Sequence, residues 1–185
     1  DRIVGEAKFL RAWAYFELVT QWGKVPIYTQ PAADPLDFKG LSEISQVYDL
    51  ILSDVTDAIS ALPATASQKG RATKDAAYVL GARALMQKGD YGPARDYLLN
   101  VYGKYVLVPF LQNYDGDVKD GADQLATGNE YNAESIFEVS FFDKGDNSFD
   151  WGYTAEGPTA PATANRGQEY GIVWGNVIPS DRTLD

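Results

Sequence analysis

The sequence predicts a mainly α-helical protein: helical hairpins followed by a small β element and long aromatic-rich loops. Three observations carry that expectation. Four stretches in the first 103 residues repeat apolar side chains at 3.6-residue spacing, each closed by a glycine or a proline. "SIFEVSFF", residues 135–142, alternates apolar and polar positions as a half-buried strand does. From Gly145 to Asp185 the helical period is lost, while aromatic residues stay frequent among Gly, Pro, Ala and Asn.

The first helix is expected over residues 3–22. Ile3, Ala7, Leu10, Ala14 and Leu18 form one apolar stripe, and Phe9, Trp13 and Phe16 form another on a different side. A helix apolar on two sides is expected to be buried between neighbours. Its pattern is already running at Asp1 and Arg2, so the chain is expected to start part-way into a larger protein. Gly23 stops it, and "KVPIY" continues extended because Pro26 cannot prolong a helix. Thr29 to Lys39, with Pro31, Pro35 and Asp37, reads as a loop.

The second helix is expected over 43–62. Ser42 would cap it, with acidic Glu43 at the positive end of the helix dipole. Ile44, Val47, Tyr48, Ile51, Leu52, Val55, Ala58, Ile59 and Leu62 keep helical spacing up to Pro63. After the polar loop "PATASQKGRAT", Thr73 caps a third helix over 74–88, in which Ala76, Ala77, Leu80, Ala84 and Leu85 repeat until Gly89. Asp90 caps a fourth over 91–102, where Pro93 is tolerated in the first turn. "KYVLVPF" then reads as extended, and a short strand is expected over 136–142.

Composition narrows the chemistry. The chain has 185 residues, long enough to bury a core, with 45% hydrophobic and 23% charged residues, as folded proteins have. A formal charge of −10 argues against nucleic acid, whose phosphates it would repel. With no Cys, thiolate catalysis, disulfides and cysteine-ligated metal centres are excluded. With no His, Ser-His-Asp triads and histidine metal sites are excluded too. No apolar run approaches the roughly 18 residues of a membrane helix, and no secretory leader opens the chain.

"LGARALMQKGDYGPARDYL" puts small residues where two helices must touch. Gly81, Ala82 and Ala84 permit close approach, "GDY" turns the chain, and Ala94 packs back. This resembles a tetratricopeptide repeat. The order of segments sharpens the resemblance. "GEAKFLRAWAYFELVTQWGKVP", "VYDLILSDVTDAISALP", "GRATKDAAYVLGARALMQKGDY" and "NAESIFEVSF" together resemble the SusD/RagB family, nutrient-binding surface lipoproteins of the outer membrane in Bacteroidetes-type bacteria. The likeness runs from about Gly5 to Phe142. It resumes at "WGNVIPSDRTLD", similar to the family's Pro-Thr/Ser-x-x-Leu-x-x-x-Phe element cut before its Phe.

The resemblance implies a single SusD-like domain over 1–185, truncated at both ends. Residues 1–103 would be the helical scaffold and 104–185 the strand and ligand-loop region. It implies a non-catalytic protein that hands oligosaccharides to a SusC-like TonB-dependent transporter, anchored by a lipidated cysteine lying before Asp1. Within the scaffold, Trp13 and Phe16 would be core, and Glu6, Arg11 and Arg83 ion-paired or hydrogen-bonded, since an unpaired buried charge is costly. No cofactor and no metal is expected.

A glycan site needs rings that stack on the C–H face of a sugar and planar polar groups that bind its hydroxyls. "FDKGDNSFDWGYTAEG" and "NRGQEYGIVWGN" interleave the two. Trp151, Tyr153, Tyr170 and Trp174 are the candidate platforms, with Asn147, Asp150, Asn165, Arg166 and Asn176 as polar partners. The acidic run Asp115 to Asp123 is no EF-hand: Lys119 and Asp120 stand where an oxygen ligand and Gly belong, and Ala126 replaces the closing Glu. Two other readings compete: a tetratricopeptide adaptor gripping a peptide in its groove, and a glycoside hydrolase with a carboxylate pair.

Overall fold

In a computed structural model of the chain, residues 1–31, 34, 36, 38–109 and 131–138 are described. They hold four helices in chain order: α1 (Arg2–Trp22), α2 (Ile44–Ala61), α3 (Lys74–Lys88) and α4 (Tyr91–Leu99). All four belong to one compact unit, Asp1–Leu107 with Ala133–Phe137. Each helix packs on the next, and α1 also touches α3. Of a second unit, Val108, Pro109, Tyr131, Asn132 and Glu138 are described, with the Tyr131 N–H donating to Glu138 Oε2 at 2.9 Å.

Helix α2 is the centre of the core because its apolar positions cover more than one face. Val47, Ile51, Val55 and Ala58 are wholly buried, between Phe9, Ala12, Phe16 and Val19 of α1 and Ala76, Ala77, Leu80 and Ala84 of α3. Close approach is written into Gly81. A Cβ there would lie 2.6 Å from the Tyr97 ring of α4 and 2.8 Å from Val55 Cγ1 of α2. Ala94 packs back onto α3 as its size allows and is buried. Gly89 ends α3 in the left-handed conformation (φ 85°), its N–H donating to the Met86 carbonyl, and the chain reverses into α4 within two residues.

The helix ends show which capping groups act. Thr73 caps α3 as expected, its hydroxyl accepting from the Ala76 N–H at 3.2 Å. Ser42 does not cap α2. It lies one residue ahead of the N-cap, its N–H donating to the Val25 carbonyl (3.0 Å). Glu43 is the cap instead, with the Gln46 side chain accepting from its N–H at 3.0 Å. Asp90 stands at the start of α4 without a side-chain cap bond. That helix ends at Leu99, short of residue 102. The Asn100 and Val101 N–H groups bond three residues back, and Asn100 Nδ2 donates to the Asp96 carbonyl at 2.8 Å, which tightens the last turn and ends the α-helix.

Two expectations are corrected. Helix α1 is not buried on both sides: Ile3, Ala7, Leu10, Ala14 and Leu18 face outward, Ile3 being 68% exposed. One face alone meets α2 and α3, and it carries Phe9, Ala12, Tyr15, Phe16 and Val19. The small β element is also not seen: there is no strand among the described residues, which include Ile136–Glu138, while 139–142 lie outside them. These segments are joined by a backbone bond from the Val106 N–H to the Ala133 carbonyl at 3.1 Å.

Buried polar groups are satisfied, as low dielectric demands. Asp54 of α2, 2% exposed, takes two bonds of 2.7 Å from Nε and Nη2 of Arg11 on α1. That bond raises the pKa of the Arg11 guanidinium above its ordinary value. Asp75 at the start of α3 accepts from Lys104 Nζ (2.8 Å) and the Tyr105 hydroxyl (3.3 Å), fastening the chain beyond α4 to α3. Glu6 joins Arg2 (2.9 Å) and Arg71 (2.7 Å).

Candidate functional site

The two faces of α3 border two hollows. One, of about 640 Å³, lies along α4 and is almost entirely apolar, walled by Val79, Met86, Ala94, Leu98, Tyr102 and Tyr105 among others. Burial raises the Tyr105 phenol above its ordinary pKa, and the charge of Asp75 adds to the shift. With so few polar groups, this hollow can hold apolar surface but cannot orient a sugar.

The other, of about 220 Å³, lies between α1 and α3. Phe9 and Trp13 come from α1, Ala76, Val79, Leu80 and Arg83 from α3, and Ile136 and Phe137 from the returning segment. Helical spacing explains the set: 9 and 13 are four apart, and 76, 79, 80 and 83 recur every three or four residues, so each group shares a face. Phe137 stands edge-on to both α1 rings, with centroids 5.1 Å from Phe9 and 5.8 Å from Trp13. It fills part of the inter-helical groove and narrows the rest.

Among the described residues Arg83 is the only charged side chain in that wall. Its guanidinium carbon lies 4.8 Å from the Phe16 ring centroid, a cation–π contact. It therefore differs from the expected ion-paired role, which Glu6 and Arg11 do fill. Phe16 is buried as expected; Trp13 is half-buried, packed on the core and open to the hollow. Reading the sequence missed Trp13 and Arg83 as cavity residues. The only available signal was their place on the apolar faces of two adjacent helices.

The nine residues proposed from sequence, Asn147, Asp150, Trp151, Tyr153, Asn165, Arg166, Tyr170, Trp174 and Asn176, all lie outside the described residues, as does the acidic run 115–123. Among the described residues no group of three or more carboxylates gathers as a metal site would require.

This helical scaffold has known relatives. The SusD-like family model described as "Starch-binding associating with outer membrane" matches residues 1–86. SusD-like protein P25 of Formosa agariphila is 28% identical over 142 residues, 75% of this chain and 25% of its own length. A SusD-like protein of Bacteroides fragilis superposes with a TM-score of 0.63 at 32% identity, over 76% of this chain and 27% of that one. A laminarin-binding SusD-like protein does so at 0.60 and 32%, over 73% and 30%. The chain matches part of the SusD-like family. It spans between 25% and 30% of the length of these relatives.

Proposed function

We propose that the protein is a non-catalytic surface lipoprotein of the outer membrane that binds glycans and delivers oligosaccharides to a SusC-like TonB-dependent transporter. The observation that carries this reading is the superposition of its helical unit on SusD-like structures, one of them laminarin-binding, at 32% identity. The helices supply a rigid frame. Affinity comes from aromatic side chains, for which Trp151, Tyr153, Tyr170 and Trp174 remain the proposed platforms and Asn147, Asp150, Asn165, Arg166 and Asn176 the hydroxyl partners.

The adaptor reading loses support from the same geometry. A peptide gripped between α1 and α3 would need the space that Ile136 and Phe137 occupy. A glycan array with the full-length protein tests the proposal, followed by incubation of each bound glycan and assay for new reducing ends. Binding without cleavage is expected. Sustained release of reducing ends would show a hydrolase, and a blank array would remove the glycan-binding reading.

A further inference from the structure

We infer that the hollow between α1 and α3, with Arg83 at its wall, binds an anionic sugar residue, a ring bearing a carboxylate or a sulfate ester. This rests on the glycan-binding reading and adds a substrate class to it.

The first observation is a missing partner. Of the five arginines among the described residues, Arg2, Arg11, Arg71 and Arg95 each hold a carboxylate at 2.7–2.9 Å. Arg83 holds none; its contact is the face of Phe16. Arg83 is exposed, so water can solvate it, yet among the described arginines it alone faces a ring and not a carboxylate. The guanidinium is held against the Phe16 ring by the cation–π contact. Its in-plane N–H fork stays available, the geometry that grips an oxyanion with two parallel hydrogen bonds.

The second observation is the wall. Trp13 and Phe137, both half-buried, offer ring surface over the buried Phe9 and Leu80, and no acidic residue among the described ones lines the hollow to repel an anion. An aromatic surface receives the C–H face of a sugar ring while a charged neighbour fixes its exocyclic group. The third observation is size. About 220 Å³ falls below the roughly 300–1,000 Å³ of pockets that enclose a drug-sized ligand. That suits a single sugar ring.

The chain's overall charge of −10 opposes a long polyanion at a distance. At physiological salt, however, such fields decay within about 8 Å, so the contact with Arg83 decides local affinity.

The test uses the full-length protein and isothermal titration calorimetry with four probes: oligogalacturonate, a sulfated galactan oligosaccharide, a neutral gluco-oligosaccharide and an acidic peptide. The uronate or the sulfated probe should bind tightest, and which one does identifies the anion. Arg83→Gln should weaken that probe roughly tenfold or more, the scale of a lost charge-assisted pair, with neutral binding unchanged. Arg83→Lys should fall between the two, since it keeps the charge and loses the fork. Thermal melts confirm that each variant is folded, and Trp13→Phe, which keeps a ring, gives a second readout if Arg83→Gln is not. Equal affinity of wild type and Arg83→Gln for the anionic probes, with neutral glycans bound, would overturn this inference alone. Binding of the peptide only, or of no glycan at all, would overturn the glycan-binding reading with it.

Discussion

Arg11 and Asp54 form the pair on which the α1–α2 packing can be tested most sharply, because their two burials differ. The Asp54 side chain is 2% exposed while that of Arg11 is 31% exposed. Both hydrogen bonds, at 2.7 Å, are charge-assisted. Replacing Arg11 with Met keeps the aliphatic stem and strands a carboxylate with no solvent to turn to. Breaking a buried pair in this way costs about 3–5 kcal/mol. Replacing Asp54 with Asn keeps the shape at the buried end and leaves a guanidinium that can reach water. The loss there is nearer the value of hydrogen bonds to a charged group, about 1.5–3 kcal/mol. The double variant Arg11→Met with Asp54→Leu removes both charges and should recover much of the loss, as buried pairs replaced by apolar groups do. Urea unfolding of the four proteins, read as midpoints at a shared slope, ranks them. Arg11→Met costing no more than Asp54→Asn, or a double variant worse than either single one, would refute the argument that Asp54 is a buried charge held by one partner.

Leu85→Ala should destabilise by about 2–5 kcal/mol, as truncations of buried leucine do, because Leu85 is buried in the α3–α4 hairpin; an unchanged denaturation midpoint would deny that face a place in the core. Gly81→Ala should cost about 1–3 kcal/mol by overpacking, since its Cβ meets Tyr97 and Val55, and a neutral result would mean those helices can part. Burial raises the pKa of Tyr48 and Tyr105 above the ordinary tyrosine value. The folded state therefore favours their protonated forms, so their contribution is complete below about pH 10 and is lost as pH rises through the folded values. Absorbance titration at alkaline pH beside unfolding curves should show two late phenols and falling stability together. Trp151→Ala or Trp174→Ala in the full-length protein should weaken glycan binding several-fold, on the order of 1 kcal/mol, with the melting temperature unchanged; a drop in melting temperature at constant affinity would make these rings structural.

The helices were legible because their signals are local. The period of α2 from Val47 to Ala58 needs no knowledge of its neighbours, and Thr73, Gly89 and Gly81 announce a cap, a stop and a close contact from within a few residues. The errors came where a distant partner intervened. Ser42 has the chemistry of a cap, yet the helix starts one residue later, where Glu43 and Gln46 form a capping box, and the Ser42 N–H bonds Val25, seventeen positions earlier. Alternation in "SIFEVSFF" describes which side chains turn inward, and Phe137 does turn inward onto Phe9 and Trp13. A ladder also needs a paired strand, and no strand forms among the described residues, where the Val106 N–H bonds the Ala133 carbonyl.

The same distinction governs the site. Arg11 and Arg83 read alike in the sequence, each a basic residue inside an apolar helical pattern, and each was expected to find a scaffold partner. Arg11 finds Asp54, 43 positions away on α2. Arg83 meets the Phe16 ring, 67 positions back on α1. No local pattern distinguishes these outcomes, because the choice is made by which helix lies across from each side chain. Once α1, α2 and α3 are in place, the difference becomes chemical. Arg11 is neutralised by a buried carboxylate and has little left to offer a ligand. Arg83 is oriented by a ring that takes none of its N–H donors. An arginine held in position and left unneutralised can change affinity without unfolding the frame, which makes Arg83 a better place than Arg11 to look for ligand selectivity.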